Sequence, residues 1–253
     1  MKKLFAVLLL LPLIAPLAAS GAEAGYSLDR APSLVNDQAA LQNGARLFVN
    51  YCLNCHSASS MRYSRLSDLG LSEDQIKKNL LFTSDKVGDL MRVAMTSKDA
   101  KDWFGAAPPD LSVIARARSG EHGPGVDYIY TYLRTYYRDE TRPTGWNNLA
   151  YPNTAMPNVL WQLQGVRNAV YVDKKGEDGA MAHEFEKFEA VTPGTLTPLQ
   201  YDQAIGNITA FLGWMAEPAQ ETRKRIGVWV LLFLGIAFVL TWRLNASYWK
   251  EVK

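Results

Sequence analysis

The chain has two cysteines and three histidines in 253 residues. A framework of several disulfides is excluded, and a zinc site of four Cys or His ligands would consume nearly all of them. There is no glycine-rich phosphate loop and no His-Glu-x-x-His pair, so the common nucleotide-binding and zinc-protease signatures are missing. A basic field on the central part is missing too. Only 19 Lys and Arg stand against 22 Asp and Glu within residues 25–220, a net charge of −3. A nucleic-acid-binding domain carries the opposite balance, so no nucleic-acid partner is expected. Nor is the composition that of a disordered chain, at 48% hydrophobic and 11% aromatic residues.

Long apolar runs occur only at the two ends. Lys2 and Lys3 precede an apolar stretch over residues 4–18, and Ala22-Glu23-Ala24 supplies a small-x-small cleavage pattern. Residues 1–24 therefore read as a cleaved signal peptide, with Gly25 opening a mature chain exported to an oxidising compartment. Pro12 and Pro16 interrupt the stretch and argue against an uncleaved anchor. Residues 226–242 carry no charge, and as a helix they would reach about 25 Å, the low end for a membrane span. Trp242, Tyr248 and Trp249 suit the interface, and Arg243 is placed to snorkel. Arg223, Lys224 and Arg225 before the run balance Arg243, Lys250 and Lys253 after it, so the positive-inside bias does not set the orientation. The signal does: residues 25–220 form the exported domain, and residues 221–253 form a basic flank, a transmembrane helix and a short cytoplasmic tail.

Four stretches between the ends show helical periodicity. Residues 37–52 place Ala40, Leu41, Gly44, Leu47, Phe48 and Tyr51 on one face. A glycine inside a helix costs ~1 kcal/mol against alanine, so Gly44 reads as a point of close contact with another helix. Ser72-x-x-Gln75 is a capping-box pattern that opens a short helix toward Leu81. Residues 85–96 put Val87, Leu90, Met91 and Ala94 on a stripe. Thr197-Pro198-Leu199-Gln200 opens the last stretch, with Ala204, Ile205, Ile208, Phe211, Leu212 and Met215 on its face and Pro218 at its end. Residues 138–158 are rich in Pro, Gly, Asn and Thr and read as a long ordered loop, with Trp146, Tyr151 and Trp161 expected out of solvent. Residues 173–189 hold six acids and three lysines. One short strand is expected, over residues 169–172.

Cys52-Leu53-Asn54-Cys55-His56 carries the chemistry. In a C-x-x-C-H segment the two thiols can each add to a vinyl group of one haem, while the adjacent imidazole reaches the iron. Zinc lacks further cysteine ligands. A thioredoxin-like dithiol would open a helix after a strand, whereas this pair follows a helix. A disulfide between residues so close gains little loop entropy. The iron then needs a sixth partner or an open site. Met61 is too near His56 to pass around the ring, and Met91, Met95 and Met215 sit on apolar stripes where methionine usually packs. Met156 differs, standing in a loop stiffened by Pro152 and Pro157, while His122 and His183 remain alternatives. Ala107-Pro108-Pro109-Asp110-Leu111-Ser112 reads as a stiff turn into a helix, and Arg116 or Arg118 after it could pair with a haem propionate or merely face solvent.

These segments together resemble the cytochrome c1 family, the membrane-anchored haem subunits of the cytochrome bc1 complex. The resemblance rests on Cys52 to His56 with Ser57, Pro108 to Ser112, Arg116-Ala117-Arg118, Met156-Pro157, and Ala216-Glu217-Pro218 followed by Arg223-Lys224-Arg225 and the apolar run. It implies a mainly α, cytochrome c-like haem domain with insertions, tied to one C-terminal transmembrane helix. It also implies one covalently bound haem c on Cys52 and Cys55, axial ligands His56 and Met156, Arg118 at a propionate and Tyr128 near the pocket. The implied setting is the cell inner membrane with the haem domain in the periplasm. The implied partners are cytochrome b, a Rieske iron–sulfur protein that reduces the haem and a soluble c-type cytochrome that oxidises it, in a dimeric complex. Quinol oxidation would then lie on partner subunits. The acidic stretch 173–189 could steer a basic carrier or be a solvated loop. Some relatives carry an extra disulfide, which this chain has no cysteines to form, so the Met156 loop must be held by packing and proline stiffness. The rivals are a tethered haem protein of another respiratory complex and a haem enzyme with an open iron site.

Overall fold

The computed structural model describes residues 26–175 and 181–251, so the expected signal peptide lies outside the described residues. Helix α1 (Gln38–Tyr51) starts where the Asp37 carboxylate accepts the Ala40 amide, and Cys52 closes it. Strand β1 (Ala58–Arg62) pairs antiparallel with the two-residue β2 (Leu90–Met91), and a 3-10 turn over Tyr63–Leu69 and α2 (Glu73–Asn79) lie between them. The Ser72 capping box is formed as its sequence predicts. Helices α3 (Ser97–Phe104), α4 (Ile114–Ala117) and α5 (Gly125–Arg134) follow, then a hairpin of β3 (Tyr136–Arg138) and β4 (Trp146–Asn148). A short α6 (Trp161–Gln164) leads into a long hairpin of β5 (Gly165–Lys175) and β6 (Met181–Pro193). Helix α7 (Pro198–Ala216) opens with Pro at its first turn and a capping box between Thr197 and Gln200. Helix α8 (Gln220–Tyr248) ends the described chain apart from one 3-10 turn.

The core forms where α1 crosses α7, with α4 and α5 also packed against α7. Gly44 sits at the crossing: a Cβ there would lie 2.1 Å from the Asn207 carbonyl oxygen and 2.7 Å from the Phe211 Cβ. The missing side chain lets the helices approach and brings the Phe48 and Phe211 rings to 5.5 Å. Arg134 ties the end of α5 to α7 through Asp202 and to the N-terminal segment through Asp29. None of the residues of α8 is buried, and it is the one described helix long and apolar enough to cross a membrane. The molecule is a mainly α domain with one C-terminal apolar helix, as expected.

Three expectations need correction. Residues 85–96 do not form a helix. The Tyr63 and Ser64 amides bond to the Asp89 and Val87 carbonyls, and that edge pairing outcompetes the helical stripe. Extended structure is not confined to residues 169–172, because β5 and β6 form a twisted hairpin on either side of the 176–180 segment. Tyr151 and Trp161 are exposed, at 51% and 47%, and Trp146 is half-buried.

Candidate functional site

The segment after α1 folds into a tight turn in which the Cys55 and His56 amides both bond to the Cys52 carbonyl. This turn projects Cys52, Cys55 and His56 into one cavity of about 370 Å³, within the range of sites that hold small cofactors. Its wall also holds Thr154, Ala155, Met156 and Pro157, and Ile208 and Leu212 of α7 contribute apolar surface. Arg118, Tyr128 and Tyr132 also line it. His122 is exposed in the turn between α4 and α5 and does not line the cavity, and the His183 side chain lies outside the described ones.

His56 is held by a backbone group. Its Nδ1 lies 2.7 Å from the Pro109 carbonyl oxygen, an obligate acceptor, so Nδ1 carries the proton and the Nε2 lone pair is left free. Burial depresses the imidazole pKa, although the Pro109 bond and Asp110 oppose it. Pro109 is placed by its neighbours. Asp110 accepts the amides of Ser59 and Ser112, the Ser112 hydroxyl accepts the Ser60 amide, and the Leu111 amide bonds to the Ser57 carbonyl. The stiff turn is thereby stapled to the chain leaving His56. Partial burial pushes the Asp110 carboxyl up, but the hydrogen bonds from Ser112 and Ser59 outweigh it and hold the group below its usual range.

The two thiols are unbridged. Burial pushes the Cys52 thiol up to about 12, and the Cys55 charge adds to this. Such a group is protonated at neutral pH, the reverse of the lowered pKa that redox-active dithiols need. Arg118 stands at the exposed rim with its guanidinium 5.2 Å from the centroid of the Tyr128 ring, a cation–π contact. Residues i and i+4 share a helix face, so Tyr128 and Tyr132 stack with centroids 5.9 Å apart, and Tyr136 continues the row edge-on at 5.2 Å.

The loop carrying Met156 is cinched by side chains that sequence reasoning passed over. The Asn148 Oδ1 accepts the Ala150 and Tyr151 amides, and the Asn147 Oδ1 accepts the Asn153 amide. Asn153 turns the chain at φ 63°, a left-handed conformation that asparagine tolerates. The Asn147-Asn148 doublet was the available signal, since asparagines in a loop commonly bond nearby backbone.

A lining this apolar, with two thiols, one oriented imidazole and one thioether on it, fits haem c by its donor set. The Cytochrome C1 family model matches residues 31–252. Cytochrome c1 of Allochromatium vinosum is 45% identical over 95% of this chain and 96% of its own length. A protein of Nitrosomonas europaea named ammonia monooxygenase gamma subunit is 42% identical over 97% of both chains. A protein of Bradyrhizobium diazoefficiens named cytochrome b/c1 is 26% identical over 85% of this chain and 34% of its own.

Proposed function

This chain belongs to the cytochrome c1 family, and we propose that within the bc1 complex it takes single electrons from a Rieske iron–sulfur protein and passes them to a soluble c-type cytochrome. Cytochrome b is its partner in that complex, a pairing that the fused name of the Bradyrhizobium relative supports. The observation that carries the reading is the convergence of Cys52, Cys55, His56 and Met156 on one apolar cavity.

One haem c, joined to Cys52 and Cys55 and ligated by His56 and Met156, supplies a one-electron ferric–ferrous couple when bound. The residues of the chain do the rest. Pro109 fixes the His56 ring and its tautomer, which leaves the Nε2 lone pair free to bind iron. A thioether as second ligand raises the potential, in keeping with a carrier late in a chain of transfers. The apolar wall of Leu111, Ile114, Ile208 and Leu212 excludes water from the site. Arg118 offers charge at the rim where a propionate would emerge, and the half-buried Tyr128 holds that guanidinium by its ring.

In this reading residues 1–24 are removed on export, residues 25–220 form the periplasmic haem domain, and α8 anchors it in the inner membrane of a dimeric complex. The described acids of the 173–189 stretch, Asp173, Glu184, Glu186 and Glu189, lie on the long hairpin, where Glu184 pairs with Lys174.

A reduced-minus-oxidised visible spectrum of the tagged chain, purified from membranes in mild detergent, tests the assignment. A covalent c-type signal co-purifying with b-type haem is expected. A c-type signal without b-type haem would move the chain to another complex, and no haem at all would return Cys52 and Cys55 to thiol chemistry.

A further inference from the structure

We propose that Tyr136, together with Tyr132, is a positioning residue for the Met156 sulfur: the two hydroxyls close a hydrogen-bonded circuit from Thr154 to the Met156 carbonyl that fixes the backbone bearing the ligand. The proposal rests on the reading of Met156 as the sixth iron ligand. Its geometry is continuous. Thr154 Oγ1 lies 2.8 Å from the Tyr132 hydroxyl, which lies 2.6 Å from the Tyr136 hydroxyl, which lies 3.1 Å from the Met156 carbonyl oxygen.

Tyr136 is the hub of the circuit. Its hydroxyl donates toward both the Tyr132 hydroxyl and the Met156 carbonyl, which can only accept. The remaining contact, between Tyr132 and Thr154, is filled by the hydrogen of either hydroxyl. The chain leaves Thr154 and returns to the same loop two residues later, so both ends of the Thr154-Ala155-Met156 segment are held at once.

The anchor is more rigid than the loop. Tyr136 is 1% exposed, and its backbone pairs with Asn148 across the β3–β4 hairpin. The Arg167 guanidinium donates to the Tyr136 carbonyl at 2.9 Å and to the Arg134 carbonyl, which caps the end of α5. Burial pushes the Arg167 pKa down to about 10, which leaves it charged at neutral pH, and its guanidinium lies over the Phe188 ring. Ala155 and Pro157 on either side of Met156 are exposed. Asn147 and Asn148 secure residues 150–153, and the tyrosine pair takes over at Thr154. To packing and proline stiffness, which the sequence suggests for this loop, the structure adds one buried and one half-buried phenol.

The test is carbon monoxide binding to the reduced haem, together with its midpoint potential, in the full-length membrane-extracted protein. Tyr136→Phe removes one oxygen atom and keeps the ring. Its covalent c-type spectrum should persist, while carbon monoxide affinity rises roughly three- to tenfold, the range spanned by the net worth of one hydrogen bond, and the potential falls. Tyr132→Phe breaks the same circuit and should act in the same direction, and the double variant should exceed neither single by much, because the links are in series. Tyr132→Phe also reads the circuit should Tyr136→Phe fail to accumulate. Tyr137→Phe, which loses only a contact with Tyr171, should leave both readouts at wild-type values. Wild-type affinity and potential in both Tyr136→Phe and Tyr132→Phe would overturn the proposal, as would an equal response in Tyr137→Phe. Met156→Ala separates the two levels. If it raises carbon monoxide binding while the tyrosine variants do not, only the circuit is wrong; if it too leaves binding unchanged, Met156 is not the ligand.

Discussion

A single side chain decides how readily the proposed carrier accepts an electron. Met156 lines the same cavity as His56, on a loop whose backbone is pinned at several points. Under the proposed assignment, replacing its thioether by imidazole would exchange an iron ligand that raises the potential for one that does not. Met156→His should lower the midpoint potential by on the order of a hundred millivolts, read by redox titration of the c-type absorbance. An unchanged potential would show that the sulfur never reaches the iron. The C-x-x-C-H segment was legible because its chemistry is local to five consecutive residues. The Pro109 carbonyl that aims His56 was not, because a backbone oxygen 53 positions away leaves no mark on the side-chain pattern. Tyr128 drew attention through the family pattern, whereas Tyr132 and Tyr136 gain meaning only once α5 and the following strand place their hydroxyls beside the loop.

Elements were legible where their signals are local and hidden where long-range pairing overrides them. Asp37, Ser72 and Thr197 each cap the helix that their sequence context predicts. The β5–β6 hairpin escaped because it lacks strict alternation. Between the pairs Val170–Lys187 and Tyr171–Phe185, Glu186 is left over as a bulge. That extra residue lets Phe185 and Phe188, three positions apart, pack at a tilt with ring centroids 4.8 Å apart, a spacing that reads as helical in sequence. Gly44 is the counterexample, a glycine whose oddity inside a helix did announce a close crossing. In most helix interiors Gly→Ala stabilises, by ~1 kcal/mol. Here the new Cβ meets a carbonyl oxygen, so Gly44→Ala should cost roughly 1–3 kcal/mol and lower the melting temperature by about 2–12 °C for a domain of this size. Differential scanning calorimetry reads the sign directly, and a rise in melting temperature would mean that α1 and α7 can part without cost.

At the scale of the whole molecule the domain and its anchor divide cleanly. Helix α8 buries none of its residues against the rest, and its nearest tie is the Glu217–Arg223 ion pair at the joint. A solvent-screened pair of this kind contributes little. A chain ended after Ala219 should therefore leave the membrane fraction, keep its covalent c-type spectrum and resist carbon monoxide as the full chain does. Loss of that spectrum in the soluble fraction would show that α8 supports the cavity after all.

The joint between α7 and α8 is three residues long, Glu217, Pro218 and Ala219. Even fully extended it spans about 10 Å, and Pro218 removes part of that freedom. With α8 as its anchor the domain is thus tethered at the bilayer surface, and its encounters with a membrane-bound donor would take place in two dimensions. Their frequency scales with the surface density of the proteins rather than with bulk concentration, so diluting the membranes in buffer would leave this step untouched while crowding or thinning the proteins within the bilayer would change it.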